Sequence, residues 1–431
     1  MPDHVPDSST FRLTRAASQH ARAPHRPSVT ALISHRAALG LLGACTVWLS
    51  ACTTPTSSHI GPDLKLDTRL SVPVSASAPA SATSAASAVV ASAIQAPEPL
   101  QARVLPGNPD PNSYAHRDDA ARLAQALASE WGLDPDRTRA ALAQARYREA
   151  VARLIMPAPV ATAKNWAAYR SRFVEPIRIR AGTAFWRQHE ATLRRAEAEY
   201  GVPADVIAGI LGVETIYGRQ TGNFRVLDVL ATLSLDFPTG RSDRSPFFRK
   251  ELGEFLKLCE EQGLAPETVQ GSFAGAIGLP QFMPSSIRRY AVDFDGDGKV
   301  DLQRSPVDSI GSVAHYLAKQ GWLRDQPSYY EVTPPRDPSA LEKLLAPDIV
   351  PSFSPRDMSD LGAQLPESAQ QHPGSLALVQ LYNAGDAPTL IAGTANFYAI
   401  TRYNQSSYYA LAVIQLGQVV AKEATRQGAS K

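Results

Sequence analysis

Apolar residues recur at intervals of three and four along much of the chain after residue 113, a spacing that predicts amphipathic helices. The predicted helical segments are 118–129, 136–154, 166–175, 185–200, 246–262, 285–291, 308–320 and 407–422. Pro203, which follows a break at Gly201-Val202, suits the first turn of a further helix. This pattern predicts a mainly helical region at 113–422, followed by a tail at 423–431.

Residues 325–395 have a different pattern. They carry many prolines and short β-branched or aromatic runs, such as Tyr329–Thr333 and Leu376–Tyr382. We therefore predict a small β-containing insertion, which makes the fold class mainly α with a minor β part (α+β).

The N-terminal 52 residues resemble a lipoprotein signal peptide. An uncharged apolar run at 37–51 follows arginine-bearing sequence and is short for a membrane span. It ends in Leu-Ser-Ala-Cys, where Cys52 would be lipidated and would anchor the chain to a lipid bilayer. Cys45 is a weaker candidate, and an ordinary signal peptide with an incidental cysteine is the alternative. Thr53, in place of an Asp that would favour inner-membrane retention, favours the periplasmic face of the outer membrane.

Residues 53–112 are rich in Ser, Ala and Pro and predict a disordered tether, because such sequence cannot bury a core. Without the first 36 residues the chain has 38 basic and 39 acidic residues, so its charge gives no basis for nucleic-acid binding. Cys259 is the one cysteine beyond Cys52, which excludes an intramolecular disulfide there and favours a buried thiol.

The segment 203–217, PADVIAGILGVETIY, has apolar residues on most helical faces and predicts a buried helix. One stripe with i, i+3, i+4, i+7 spacing consists of Ile207, Ile210, Leu211 and Glu214. Desolvation on that stripe would raise the pKa of Glu214 and suit it to general-acid chemistry. Gly209 and Gly212 leave room for a neighbour or a ligand. The alternative is a structural glutamate bound by an arginine or by backbone donors.

Two further segments carry candidate chemistry. In GSFAGAIGLPQFMPSS (271–286), small residues permit close backbone approach, and Ser272 and Gln281 could bind hydroxyl or amide groups or simply bond the backbone of a turn. Ser285 is predicted to cap the helix that follows. In the run 293–301, Asp293, Asp295 and Asp297 match alternate ligand positions of an EF-hand, with Lys299 offering its carbonyl. The alternative is an Asp-Gly turn in which Asp308 is the N-cap of the next helix.

Four segments together resemble the membrane-bound lytic transglycosylase B family, whose catalytic core is lysozyme-like. The similar segments are GVPADVIAGILGVETIYGR (201–219), residues 271–286, residues 290–322, and NFYAITRYNQSSYYALAVIQLG (396–417). The resemblance extends over about 113–422. It implies a lytic transglycosylase of peptidoglycan, with glycan strands as the partner and no organic cofactor.

The resemblance also implies roles for individual residues. Glu214 would protonate the glycosidic oxygen between N-acetylmuramic acid and N-acetylglucosamine, then act as a base toward the muramoyl C6 hydroxyl, giving a 1,6-anhydro product. The implied substrate groove contains Tyr169, Ser272, Gln281, Tyr316, Tyr403 and Asn404. Position 12 of the EF-hand pattern is Arg304, and the resemblance implies that Asp308 closes a lengthened loop around a structural Ca²⁺ ion. Whether a second carboxylate assists stays open.

Three other functions are compatible with parts of the sequence. A hydrolytic muramidase would use the same fold and the same Glu214. A non-catalytic peptidoglycan-binding lipoprotein would dispense with this glutamate, yet Glu214 lies in an intact motif. A calcium-dependent structural module would explain the Asp-Gly run but not the other three segments.

Overall fold

The structure, a computed structural model, describes residues 110–156 and 164–428. Cys52 and the predicted tether up to residue 109 lie outside this part of the chain. The described helices are α1 Asp118–Trp131, α2 Pro135–Gln144, α3 Glu149–Leu154, α4 Trp166–Phe173, α5 Pro176–Tyr200, α6 Ala204–Thr215, α7 Val226–Leu235, α8 Ser245–Gln262, α9 Pro284–Tyr290, α10 Pro306–Lys319, α11 Pro338–Leu345, α12 Pro355–Asp360, α13 Glu367–Gln370, α14 Ala395–Thr401 and α15 Ser407–Gly428. The described strands are β1 Phe224–Arg225, β2 Gln270–Gly271, β3 Tyr329–Glu331, β4 Ala377–Asn383 and β5 Asp386–Gly393.

The prediction of a single helix at 136–154 is wrong, because the segment divides into α2 and α3. Between them the backbone N–H groups of Arg146 and Arg148 leave the helical pattern and donate to Asp228 and Thr232 of α7. The Asp228 carboxylate is buried and also binds the Arg148 guanidinium at 2.9 Å. Long-range pairing with α7 therefore overrides the local helical pattern.

Three predicted helix boundaries are also corrected. Pro203 precedes the first helical residue of α6 and does not lie in its first turn. Ser285 does not cap α9, which begins at Pro284, because its hydroxyl donates to the buried Glu251 of α8 at 2.6 Å. The last helix, predicted to end at 422, continues as α15 to Gly428.

Helix α6 lies at the centre of the fold and packs against α15, α5 and α10. Two glycines make the α15 contact possible. A Cβ at Gly209 would collide with the backbone oxygen of Val413, and one at Gly417 would collide with that of Asp205. The space that the sequence analysis inferred from the glycines near Glu214 is thus occupied by α15.

The β content predicted for residues 325–395 is confirmed, since β3, β4 and β5 lie within this range. Its sheet has the strand order β3-β5-β4, with both pairs antiparallel. Residues from the sheet and from α11 to α13 form a separate small core: Leu344, Met358, Ala363, Leu365, Ala369, Leu376, Leu378 and Ala392. Across residues 110–156 and 164–428, no helix has both the length and the apolarity needed to cross a bilayer.

We expect Gly209→Ala to destabilise the protein by about 1–3 kcal/mol, because the added methyl would overpack the contact with α15. Chemical denaturation would measure this loss. Gly132→Ala is the control, since a Cβ there meets no atom and only the positive φ of 60° is unfavourable. Equal losses in the two variants would contradict close packing at Gly209.

Candidate active site

Glu214 projects from the last turn of α6. The apolar residues beneath it on the same stripe, Ile207, Ile210 and Leu211, are fully buried, whereas Glu214 keeps part of its surface exposed. Burial raises the pKa of Glu214 from 4.5 to about 7. The carboxyl can therefore donate a proton near neutral pH and take one back.

Tyr409, in the first turn of α15, is a partner of Glu214 that the sequence analysis missed. Its hydroxyl donates to Glu214 Oε1 at 2.6 Å. This hydrogen bond favours the carboxylate and lowers the pKa of Glu214, against the larger effect of burial. The pKa of Tyr409 itself lies well above its usual value, because its ring is buried and faces Glu214, so its hydroxyl stays a donor.

The chain turns sharply directly after Glu214. Ile216 and Tyr217 have φ of 52° and 56°, in the left-handed region that β-branched and bulky residues avoid. The Tyr217 N–H donates to Leu211 O at 3.1 Å, and the Thr215 hydroxyl donates to Leu279 O at 2.9 Å. The turn at the catalytic candidate is therefore fixed both to α6 and to the 271–286 loop.

Aromatic rings surround the Glu214 carboxyl. The rings of Tyr403 and Tyr409 stack with their centroids 6.3 Å apart and an interplanar angle of 17°. The Tyr403 hydroxyl donates to Pro280 O, which ties this ring to the 271–286 loop. Tyr169 of α4 lies close enough to Glu214 for the carboxylate to raise the pKa of Tyr169, after the larger effect of burial.

The other two candidates from this part of the chain lie further back. Tyr316 contacts Tyr403 edge-on at 5.0 Å, and its hydroxyl donates to Arg402 O at 2.7 Å. Asn404 follows Tyr403 directly and is partly exposed. Tyr316 is thus placed to hold Tyr403 in position, whereas Asn404 is accessible from solvent.

Ser272 bonds the backbone of its own loop, and Gln281 bonds both that loop and the backbone of Thr221. The Ser272 hydroxyl accepts from the N–H groups of Ala274 and Ala276 at 3.3 and 3.1 Å. The Gln281 side-chain NH₂ donates to Thr221 O and Gly278 O, at 3.1 and 2.8 Å. Because both carbonyls are acceptors, the amide orientation is fixed, and its Oε1 is the atom directed away from them.

Three carboxylates of the Asp-Gly run come together. The ligand oxygens of Asp293, Asp295 and Asp297 lie within 4.8 Å of one another, and all three residues are exposed. Asp308 is buried, and its carboxylate accepts from Phe294 N and Asp301 N at 2.9 and 2.8 Å. The cap of α10 is Ser305, not Asp308.

The acidic residues nearest to Glu214 in the following sequence are engaged by other partners. Asp228 binds Arg148 and Arg225, and Asp236 binds Arg117 and the Tyr114 hydroxyl. Asp243 accepts from the backbone N–H and hydroxyl of Ser245 at the start of α8. These hydrogen bonds and ion pairs hold the fold together.

Comparison with known proteins shows the family to which the chain belongs. A family profile described as Transglycosylase SLT domain matches residues 115–418. The chain belongs to this lytic transglycosylase family. Membrane-bound lytic murein transglycosylase B of Escherichia coli K12 is 37% identical over 319 residues, which cover 72% of this chain and 84% of that protein.

Two solved structures extend the similarity to three dimensions. The catenated lytic transglycosylase SltB1 from Pseudomonas aeruginosa has 38% identity and a TM-score of 0.66, covering 72% of this chain and 99% of that one. The Escherichia coli lytic transglycosylase Slt35 in complex with calcium has 36% identity and a TM-score of 0.62, covering 73% and 96%. The mainly helical fold with a lysozyme-like core is confirmed, and lytic transglycosylases cleave peptidoglycan glycosidic bonds without hydrolysis.

We expect Tyr409→Phe to shift the alkaline limb of the kcat/KM profile to higher pH. In the native protein the hydrogen bond from Tyr409 lowers the pKa of Glu214, so removing this bond raises that pKa above about 7. The kcat of the variant should also fall roughly tenfold, because the carboxyl is held less firmly. Release of muropeptides from peptidoglycan, followed over a pH series, would measure both changes.

Tyr398→Phe, on α14, is the matched control and should leave the pH profile unchanged. A Tyr409→Phe enzyme with the native profile would show that this hydroxyl does not act on Glu214.

Proposed function

We propose that this lytic transglycosylase uses Glu214 as its single acid/base to cleave the β-1,4 bond between N-acetylmuramic acid and N-acetylglucosamine. The protonated carboxyl donates its proton to the glycosidic oxygen as that bond breaks. The resulting carboxylate then removes the proton of the muramoyl C6 hydroxyl, whose oxygen bonds to C1 of the same sugar. Glu214 is reprotonated, a 1,6-anhydromuramoyl end forms, and no water is consumed.

The observation that carries this proposal is the position of the Glu214 carboxyl in the last turn of the buried helix α6, 2.6 Å from the Tyr409 hydroxyl, where burial raises its pKa to about 7. Such a group is populated in both protonation states near neutrality, and one residue can then serve in both steps. The Tyr409 hydroxyl, 2.6 Å from Oε1, keeps the carboxyl oriented and stabilises it after the proton has left.

Six residues are proposed to bind the glycan strand, in two groups. Tyr169 and Tyr403 adjoin Glu214 and offer faces for sugar rings, with Tyr316 supporting Tyr403 and Asn404 able to bond an N-acetyl group. In the facing loop, Gln281 offers an acceptor through Oε1, and Ser272 shapes the backbone against which a sugar would lie.

The decisive measurement is mass spectrometry of muropeptides released from purified peptidoglycan. We expect anhydromuramoyl ends from the native enzyme and none from Glu214→Gln. Glu251→Gln, which alters a buried glutamate of α8 that is bound to Ser285, is the control and should keep the activity if folded. Products that carry an added water would instead make the protein a hydrolytic muramidase, and binding without release would make it a binding module.

The raised pKa of Glu214 also predicts how stability depends on pH. A carboxyl whose pKa is higher in the folded state than in the unfolded state stabilises below about pH 4.5 and loses that contribution as pH rises through about 7. Glu214→Gln should therefore match the native protein at pH 4.5 and exceed it at pH 8, by about 1–3 kcal/mol. Thermal unfolding of both proteins at the two pH values would measure this. The same difference in stability at pH 4.5 and at pH 8 would show that burial does not penalise the charged carboxylate.

We propose that the loop 293–308 binds one structural Ca²⁺ ion. Three convergent Asp carboxylates and the Lys299 carbonyl would supply oxygen ligands, with Asp308 closing the site. The Asp308 carboxylate accepts from the N–H groups of Phe294 and Asp301, which holds it against the loop that carries the three Asp residues. The ion would hold the loop between α9 and α10 and take no part in the reaction.

Added Ca²⁺ should raise the melting temperature of the chelator-treated protein, because a ligand that binds the native state stabilises it. Asp297→Asn should lose most of this rise. Asp360→Asn, an exposed aspartate of the insertion, is the control and should retain it. An equal rise in both variants would place calcium binding elsewhere.

We propose that Cys52 is lipidated and holds the enzyme at the periplasmic face of the outer membrane. The Leu-Ser-Ala-Cys sequence supports lipidation, and Thr53 supports the outer membrane. The similarity to a membrane-bound lytic murein transglycosylase supports attachment to a membrane. Cys52→Ala should release the enzyme from membranes separated on a density gradient.

A further inference from the structure

The ring of Tyr217 fills a slot between two helices of the core. A Cβ at Gly182 of α5 would collide with the Tyr217 hydroxyl oxygen, and a Cβ at Gly212 of α6 would lie 2.5 Å from the same atom. The ring also packs on Phe185 of α5, with the two ring centroids 5.1 Å apart. The two glycines therefore leave the space that this ring occupies.

The hydroxyl of Tyr217 does not explain why the ring lies there. Its oxygen is buried and has no hydrogen-bond partner in the part of the chain that the structure describes. A buried polar group without a partner destabilises a fold. Burial also raises the pKa of Tyr217, so the hydroxyl stays protonated near neutral pH. What Tyr217 contributes is therefore the packing of its ring.

The backbone at Tyr217 has a conformation that side-chain packing must stabilise. Helices often end on a left-handed residue, but that residue is usually glycine. Here Ile216 and Tyr217 are left-handed in succession, which is unfavourable for side chains of this size. Ile216 is buried and the Tyr217 ring is wedged between α5 and α6, so burial of both side chains offsets the backbone strain.

This turn ends the helix that carries Glu214. The last turn of a helix is prone to fray, because its final carbonyl groups have no partner within the helix. In α6 the Gly212 carbonyl accepts from the Ile216 N–H at 3.3 Å. The Leu211 carbonyl accepts from the Tyr217 N–H at 3.1 Å. Both bonds need the chain to turn back at this point, so the ring that fixes the turn also fixes the end of α6.

We propose that Tyr217 is a positioning residue, whose ring locks the last turn of α6 and thereby holds the Glu214 carboxyl among the tyrosines that face it. Those tyrosines are Tyr169, Tyr403 and Tyr409. Without the Tyr217 ring the end of α6 loosens, and water reaches the carboxyl. The inference deepens the proposed function of Glu214 and rests on it.

The test measures kcat, KM and the pH profile of the full chain on soluble, uncross-linked glycan strands. Tyr217→Ala should lower kcat roughly ten- to hundredfold and change KM by less than about twofold. It should also move the alkaline limb of kcat to lower pH, because hydration lets the pKa of Glu214 fall from about 7 towards 4.5. Tyr217→Phe should match the native enzyme in all three measurements, because it keeps the ring.

Gly182→Ala is a second variant, which fills the slot without altering the turn itself. It should lower kcat and move the alkaline limb in the same direction, so it carries the test if Tyr217→Ala does not fold. Tyr330→Ala, which removes a partly buried ring in the insertion, is the control. It should lower the melting temperature and leave both kcat and the pH profile unchanged.

A native alkaline limb in folded Tyr217→Ala, or in Gly182→Ala if that variant alone folds, would overturn the positioning role. So would a Tyr217→Phe enzyme as impaired as Tyr217→Ala, or the same shift in Tyr330→Ala. Failure of the proposed function would appear separately, as native enzyme that releases no anhydromuramoyl ends.

Discussion

The close contact between α6 and α15 is the constraint on which the site depends. Glycine at 209 and 417 lets each helix meet the backbone of the other. This approach brings the first turn of α15 to the last turn of α6, where Tyr409 reaches Glu214. A larger residue at either glycine would separate the two helices and, with them, a hydrogen bond of 2.6 Å that tolerates little displacement.

The electrostatics of Glu214 are a balance between two opposing effects. Burial above an apolar stripe favours the protonated form, and the Tyr409 hydroxyl favours the carboxylate. If burial acted alone, the proton would be harder to release, and if the hydrogen bond dominated, too little acid would be present. The strained turn at Ile216 and Tyr217 holds the carboxyl where both effects operate. Backbone strain of this kind is often found in active sites.

The sequence predicted what local patterns encode. The apolar stripe with Glu214, the alternating carboxylates from Asp293 and the β-containing insertion all follow from spacing within short segments. It missed Tyr409, because the contact of that residue with Glu214 depends on how two distant helices cross. The capping prediction for Ser285 also failed, because the Ser285 hydroxyl donates to Glu251, which lies 34 residues earlier in the chain. Partners of this kind are set by tertiary packing, which a local pattern does not contain.

The attachment of the first described segment to α7 has a mechanical consequence. Asp228 and Thr232 on α7, with Asp236 directly after it, form a polar stripe that binds Arg117, Arg146 and Arg148. Chain from residue 110 onward meets this stripe before it reaches α6. A pull on residue 110 would therefore load these ion pairs and backbone hydrogen bonds before it reached the hydrogen bond between Tyr409 and Glu214.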